Sequence, residues 1–205
     1  MADNTTPTRE PARRVFATEL NDATFTFKES EDDRAPVYVL LPTGEQANRV
    51  FVVGTLTETE DVGRDQEYWQ GRVVDPTGTA FVYAGQYQPE AAGALRELET
   101  PTYVAVVGKP RTYETDDGTV NVSIRPESIT VVDESARSRW VTEAAERTLD
   151  RLGALDSEGN EYGVRAQEEY DVDPSVYQSA VVEALESLDE LDAEAEPAED
   201  LSSGP

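Results

Sequence analysis

The chain has 205 residues, 38% of them hydrophobic, with 43 acidic and 17 basic side chains and a formal charge of −26. It contains neither cysteine nor histidine, which excludes disulfides, thiolate chemistry, Cys/His zinc sites and histidine acid–base catalysis. No apolar run approaches the ~18 residues of a membrane span, and the opening MADNTTPTREPARR lacks the apolar centre of a secretory signal, so a soluble, cytoplasmic protein is expected.

Residues 1–14 read as a disordered arm. Between Val15 and Asn48 two short strands are expected, at TFTFKE (24–29) and PVYVLLP (36–42), split by the acidic loop SEDDRA. Strand signals then become regular. RVFVVGTLTET (49–59) carries an interior glycine, Gly54, the mark of a bulge or sharp bend. EYWQGRVVD (67–75) and TAFVYAGQY (79–87) form a hairpin across Asp75-Pro76-Thr77-Gly78, whose residue types suit a type I turn. A short helix, PEAAGALRELE (89–99), opens on proline, and two strands follow at 102–113 and 119–132 around the acidic turn ETDDG.

Three strands, a helix and two strands is the order of the OB-fold, a five-stranded, partly open barrel. The expected class is therefore mainly β: an OB-fold barrel with an N-terminal strand extension, over residues 15–133, and a C-terminal helical segment. Five evenly spaced strands also suit another small barrel or a sandwich.

Residues 134–191 read as helical. One apolar stripe holds Trp140, Val141, Ala144, Ala145, Thr148, Leu149 and Leu152. A second starts after the Asp173-Pro174 cap and holds Tyr177, Ala180, Val181, Ala184, Leu185, Leu188 and Leu191. The connection between them, ALDSEGNEYGVRAQEEYDV (154–172), reads as loop-rich. Trp140, Tyr177, Val181, Leu185 and Leu188 are the candidate partner-binding residues. Beyond Arg165 there are 13 acidic and no basic residues, and 192–205 reads as an acidic disordered tail.

The hairpin is the candidate binding element, and its register decides which side chains share a face. With Val74 opposite Thr79, the core face holds Trp69, Gly71, Val73, Ala80, Val82 and Ala84. The outer face then holds Tyr68, Gln70, Arg72, Phe81 and Tyr83. A bulge at Gly78 would instead gather Trp69, Phe81 and Tyr83 on one side with Arg72 opposite. The first register leaves the core face free of polar side chains and is preferred. Oligonucleotides lie on strands 2 and 3 of an OB-fold and its 1–2 and 4–5 loops. Tyr68, Arg72, Phe81 and Tyr83, with Lys109, Arg111 and Arg125 on strands 4 and 5, are the candidate DNA contacts. Against this, aromatics in short strands more often serve a core, and a lone arginine is usually a solvated or ion-paired group.

Only Lys28 and Lys109 are lysines, and the near-absence of lysine under heavy Asp and Glu is the composition of proteins that work in molar salt. There the Debye length is about 3 Å, so carboxylates elsewhere barely repel DNA, basic patches lose most of their attraction, and stacking carries affinity. Acidic pairs such as Asp116-Asp117 arise by chance on such a surface. No nucleotide-binding or nucleophile motif is present, so neither an enzyme nor a cofactor is expected.

RRVFATEL (13–20), PVYVLLPTGEQANRVFVVGTLTE (36–58), VVDPTGTAFVYAGQYQPEA (73–91), VAVVGKPRTYETDDGTVNVSIRPESI (104–129) and YDVDPSVYQSAVVEALESL (170–188) together resemble the haloarchaeal replication protein A-associated proteins. The resemblance spans essentially 13–191. It implies an OB-fold accessory subunit that binds single-stranded DNA in hetero-oligomeric complex with the large subunit of replication protein A, serving replication and repair. It assigns no individual contacts. Unlike the larger partner, this chain has no second OB repeat and no zinc-binding cysteines.

Overall fold

The computed structural model describes residues 10–171 and 173–195, the last five by backbone alone. In chain order its elements are β1 (Arg13–Arg14), α1 (Ala17–Asp22), β2 (Thr26–Lys28), β3 (Val37–Leu41), β4 (Glu45–Ala47), β5 (Val50–Asp61), β6 (Trp69–Asp75), β7 (Gly78–Ala84), α2 (Pro89–Glu97), β8 (Thr102–Glu114), β9 (Val120–Val131), α3 (Glu134–Ala154), α4 (Glu161–Glu169) and α5 (Ser175–Ala195).

β5 to β9 close a five-stranded barrel in the order β5-β6-β7-β9-β8, with β8 returning to β5. The β7–β9 contact is parallel and every other barrel pair antiparallel. This is the OB-fold topology expected from the strand order. Closure depends on β5, whose Val50–Leu56 pair with β8 while Thr55–Asp61 pair with β6. At the handover lies Gly54, where a Cβ would collide with the Val74 carbonyl of β6; only glycine admits so close a backbone approach. Gly71 makes the corresponding space for the helix, since a Cβ there would sit 2.7 Å from Leu95 Cδ2. α2, started by Pro89 at its first turn, buries Ala91 and Leu95 against the barrel.

The N-terminal region departs from expectation. Arg13 and Arg14, assigned to a disordered arm, form β1 alongside Val50 and Phe51, outside the barrel; residues 1–9 of that arm lie outside the described residues. β2, β3 and the unexpected β4 make a separate three-stranded sheet. α1 was also missed. Its first amide, Ala17 N–H, donates to the Asp75 carboxylate at 2.6 Å, so its cap comes from 58 residues away. No local pattern announces it.

A carboxylate opens each of the two long C-terminal helices, at the expected Asp173 and also at Asp133, for which no cap was expected. Asp133 accepts from the Ala136 amide at 2.7 Å to open α3, and Asp173 from the Ser175 amide at 2.9 Å to open α5. The connection read as loop-rich contains α4, capped by Asn160, which accepts from the Gly163 amide. Helices this short depend on packing rather than propensity: α4 lies against the three-stranded sheet, with Tyr170 O–H donating to Leu40 C=O at 2.6 Å and Arg165 resting over Phe25 and Phe27. α5 runs to Ala195, into the stretch assigned to the tail, and 196–205 lie outside the described residues.

The expected partner-docking stripe is largely consumed inside the chain. Trp140 is buried, edge-on to Phe16 at 5.4 Å, and its indole N–H donates to Phe51 C=O. Tyr177 and Val181 are buried too, the Tyr177 hydroxyl donating to Asp22 at 2.9 Å. Leu188 is half-buried against the core, and of the five residues only Leu185 is exposed. An apolar helical stripe reports that a face is covered but not by what.

A buried ion pair locks α3 to the N-terminal elements. Arg151 donates to Glu19 of α1 at 2.6 Å, to Thr43 at 2.8 Å and to Thr148 at 3.1 Å, while the Thr43 hydroxyl completes the Glu19 carboxylate. Removing one member of a satisfied buried pair costs about 3–5 kcal/mol, because the other charge is stranded. Arg151→Ala should therefore lower the melting temperature strongly in molar KCl, and Arg151→Met combined with Glu19→Gln should lower it far less. Unfolding of Arg151→Ala at the wild-type temperature would refute this role.

Candidate nucleic-acid interface

The β6–β7 register is the preferred one: Val74 faces Thr79 and Asp75 faces Gly78. Gly71, Val73, Ala80, Val82 and Ala84 are buried inward, and Trp69 sits half-buried at the core edge. Tyr68, Gln70, Arg72, Phe81 and Tyr83 lie on the outside. Tyr68 is 46% exposed, while Phe81 and Tyr83 are half-buried.

The turn enforces this register. Asp75 Oδ1 accepts from Thr77 N at 2.7 Å, Thr77 Oγ1 at 2.7 Å and Gly78 N at 3.1 Å, and Oδ2 takes the α1 amide. No residue is left over to form a bulge.

The outer face continues across the barrel. On β9, Asn121 and Arg125 are partly exposed on this side while Ser123 between them is buried, as are Val122 and Ile124, and Ile124 lies beside Val82 of β7. On β8, Lys109, Arg111 and Tyr113 pair with Arg125, Ser123 and Asn121. All seven candidate DNA contacts thus share one continuous surface. Of these outward positions on β6, β7, β9 and β8, none carries a carboxylate; Glu58 and Glu60 on β5, opposite Arg72 and Gln70, mark its acidic border.

Aromatic rings form the centre. Tyr68 stacks on Tyr83, with ring centroids 5.7 Å apart and planes 19° from parallel. Gln70 Nε2 donates to the Tyr83 hydroxyl, fixing the lower ring. Tyr113, 44% exposed, adds a third phenol, held above its ordinary pKa first by burial and then by the Tyr83 hydroxyl beside it. Tyr113 was not among the candidates, although its spacing two and four residues from Arg111 and Lys109 places it on their face.

Cations surround the rings. Arg13, Arg14, Arg49, Arg96, Arg147 and Arg151 each meet a carboxylate, whereas among the described residues Arg72, Lys109, Arg111 and Arg125 meet none, as is also the case for Lys28, Arg34, Arg64, Arg137, Arg139 and Arg165 elsewhere on the chain. Arg111 is instead held below its ordinary pKa, by partial burial first and by the neighbouring Arg125 second.

Both flanking loops are closed by a carboxylate. Asp61 Oδ1 accepts from the Gly63 and Tyr68 amides, each at 3.0 Å, which places Tyr68 at the end of the 62–68 loop. Asp117 accepts from the Thr115 hydroxyl and the Thr119 amide in the β8–β9 turn. These hydrogen bonds hold both carboxyls below the usual range, the Tyr68 amide contributing most at Asp61 and the Thr115 hydroxyl most at Asp117.

No family model and no curated protein matches this sequence. Among solved structures, an OBody bound to hen egg-white lysozyme is 16% identical, covering 60% of this chain and 92% of its own, with a TM-score of 0.41. The asparaginyl-tRNA synthetase of Pyrococcus horikoshii is 15% identical over 58% of this chain and 23% of its own, with a TM-score of 0.40. The second single-stranded DNA binding protein of Mycobacterium smegmatis is 24% identical over 43% of this chain and 89% of its own, with a TM-score of 0.37.

Burial pushes the Asp75 carboxyl above the usual range, against the pull of its hydrogen bonds. The folded chain therefore keeps this proton to higher pH than the unfolded chain, and the group's contribution to stability declines as pH rises through its folded pKa. Asp75→Asn presents an amide N–H₂ where Ala17 needs an acceptor, and should lose about 1–2 kcal/mol at neutral pH. It should also remove Asp75's share of the decline in stability above about pH 4. Melting curves of both proteins over that range would test this, and parallel pH profiles would contradict it.

Proposed function

We propose that the chain binds single-stranded DNA on the outer face of β6, β7, β9 and β8. In this reading it is a non-enzymatic accessory subunit of a replication protein A complex, acting in replication and repair in a salt-rich cytoplasm. The observation that carries the DNA-binding part is the Tyr68–Tyr83 stack set among four cations without carboxylate partners. Unstacked bases gain affinity from aromatic faces whatever their identity. The open face of Tyr68 and the neighbouring Phe81 offer such surfaces, and Arg72, Arg111 and Arg125 stand within the same face for phosphate or base. The complex and its large-subunit partner rest on the sequence resemblance.

A second reading, an assembly module with little DNA contact, is favoured by one observation: Val182 and Leu185 leave an exposed apolar strip on α5, 53% and 38% exposed. Truncation before α3 would not test it, because Trp140 fills the core.

The two readings separate by fluorescence anisotropy with labelled oligothymidine in molar KCl. Stacking energies of about 1–3 kcal/mol per base predict that Phe81→Ala and Tyr83→Ala each weaken binding by about 5- to 150-fold, with melting temperatures showing that both variants fold. Absence of binding by the wild-type chain would overturn the DNA-binding reading. Co-purification with a partner that disappears in Val182→Asp and Leu185→Asp would then support the assembly module.

A further inference from the structure

We infer that the bound strand does not end on the barrel face but continues into the groove between the barrel and the β2–β3–β4 sheet, where its phosphates meet Arg34. The inference rests on the DNA-binding reading and extends it. The groove encloses about 540 Å³ and is lined by Arg34 and Val37 from the three-stranded sheet side, Asn48 and Arg49 from the link to β5, and Lys109 and Arg111 from β8. Lys109 and Arg111 also belong to the outer barrel face, so the two surfaces are one track.

The groove's charges are unequally satisfied. Its two carboxylates already have donors. Glu127 receives Arg49 Nη2 at 2.6 Å, and Glu10 receives the Tyr38 hydroxyl at 2.6 Å. Arg49 Nη1 also donates to the Glu10 carbonyl at 3.0 Å. Arg34, Lys109 and Arg111 meet no carboxylate among the described residues. Cations thus outnumber carboxylates along the groove, with Arg34, Arg49, Lys109 and Arg111 against Glu10 and Glu127.

A polyanion long enough to touch both surfaces is required, and a single strand lying on the β6–β7 rings meets that description. The three-stranded sheet then acts as a second wall for the strand, which also gives a purpose to an extension that the barrel does not need for closure.

Length dependence tests this. Anisotropy with oligothymidines of about 4 and about 12 nucleotides spans the range that OB-folds occupy. Arg34→Ala, at an exposed position between β2 and β3, should leave the short oligomer's affinity unchanged and weaken the long one by about three- to ten-fold. Over a KCl series it should also lower the salt slope for the long oligomer by about 0.7 for each phosphate that the variant fails to neutralise. Tyr83→Ala should weaken both oligomers. If Tyr83→Ala weakens both while Arg34→Ala changes neither, or changes both alike, the groove is not part of the track and the inference fails alone. If the wild-type chain binds neither oligomer, the DNA-binding reading fails and takes the inference with it.

Discussion

Asp75 holds together the two features on which this protein's surface depends. One carboxylate oxygen closes the β6–β7 turn and the other receives the first amide of α1. The closed turn pins Val74 opposite Thr79, and in a strand a slip of one residue exchanges every inner side chain for its outer neighbour. The exchange would turn Tyr83 and Phe81 inward and push Val82 and Ala84 into solvent. The make-up of the outer face is therefore a consequence of turn chemistry. Burial of that carboxylate beneath α1 raises its pKa, so the device that sets the register carries a desolvation penalty that its four hydrogen bonds offset only in part.

The electrostatics divide into two regimes. Exposed pairs such as Arg147–Asp150, at 3.2 Å with both side chains more than half exposed, contribute little and fade in salt. The Arg151–Glu19 pair is enclosed, so counterions do not reach it. The barrel's outer face follows neither pattern: Arg111 and Arg125 stand beside one another, Tyr113 beside Tyr83, and Arg72 lies opposite Glu58 of β5 without forming an ion pair. In molar salt, contact and stacking outlast long-range attraction.

Helices α3 and α5 complete the core. Trp140 lies between Phe16 and the β5 strand, and Tyr177 anchors α5 to α1 through Asp22. The groups expected to meet a partner subunit are mostly the groups that join the helices to the barrel. What they leave outside is a narrower strip around Val182 and Leu185.

The amino-acid sequence alone determined the barrel strands, their order and the two long helices, because alternation, helical stripes and turn residues such as Asp75-Pro76-Thr77-Gly78 are local signals. It also narrowed the hairpin to two registers and put Tyr68, Arg72, Phe81 and Tyr83 on one side in the preferred one. Tertiary structure decided what depends on distant partners. α1 exists because a carboxylate 58 residues away caps it, and α4 because the three-stranded sheet gives it a surface. Trp140 and Tyr177 turned inward because the barrel and α1 lay within reach. Tyr113 joined Tyr83 only when the barrel closed and brought β8 and β9 beside the hairpin. Periodicity encodes which residues share a face; what that face meets is settled by closure of the chain upon itself.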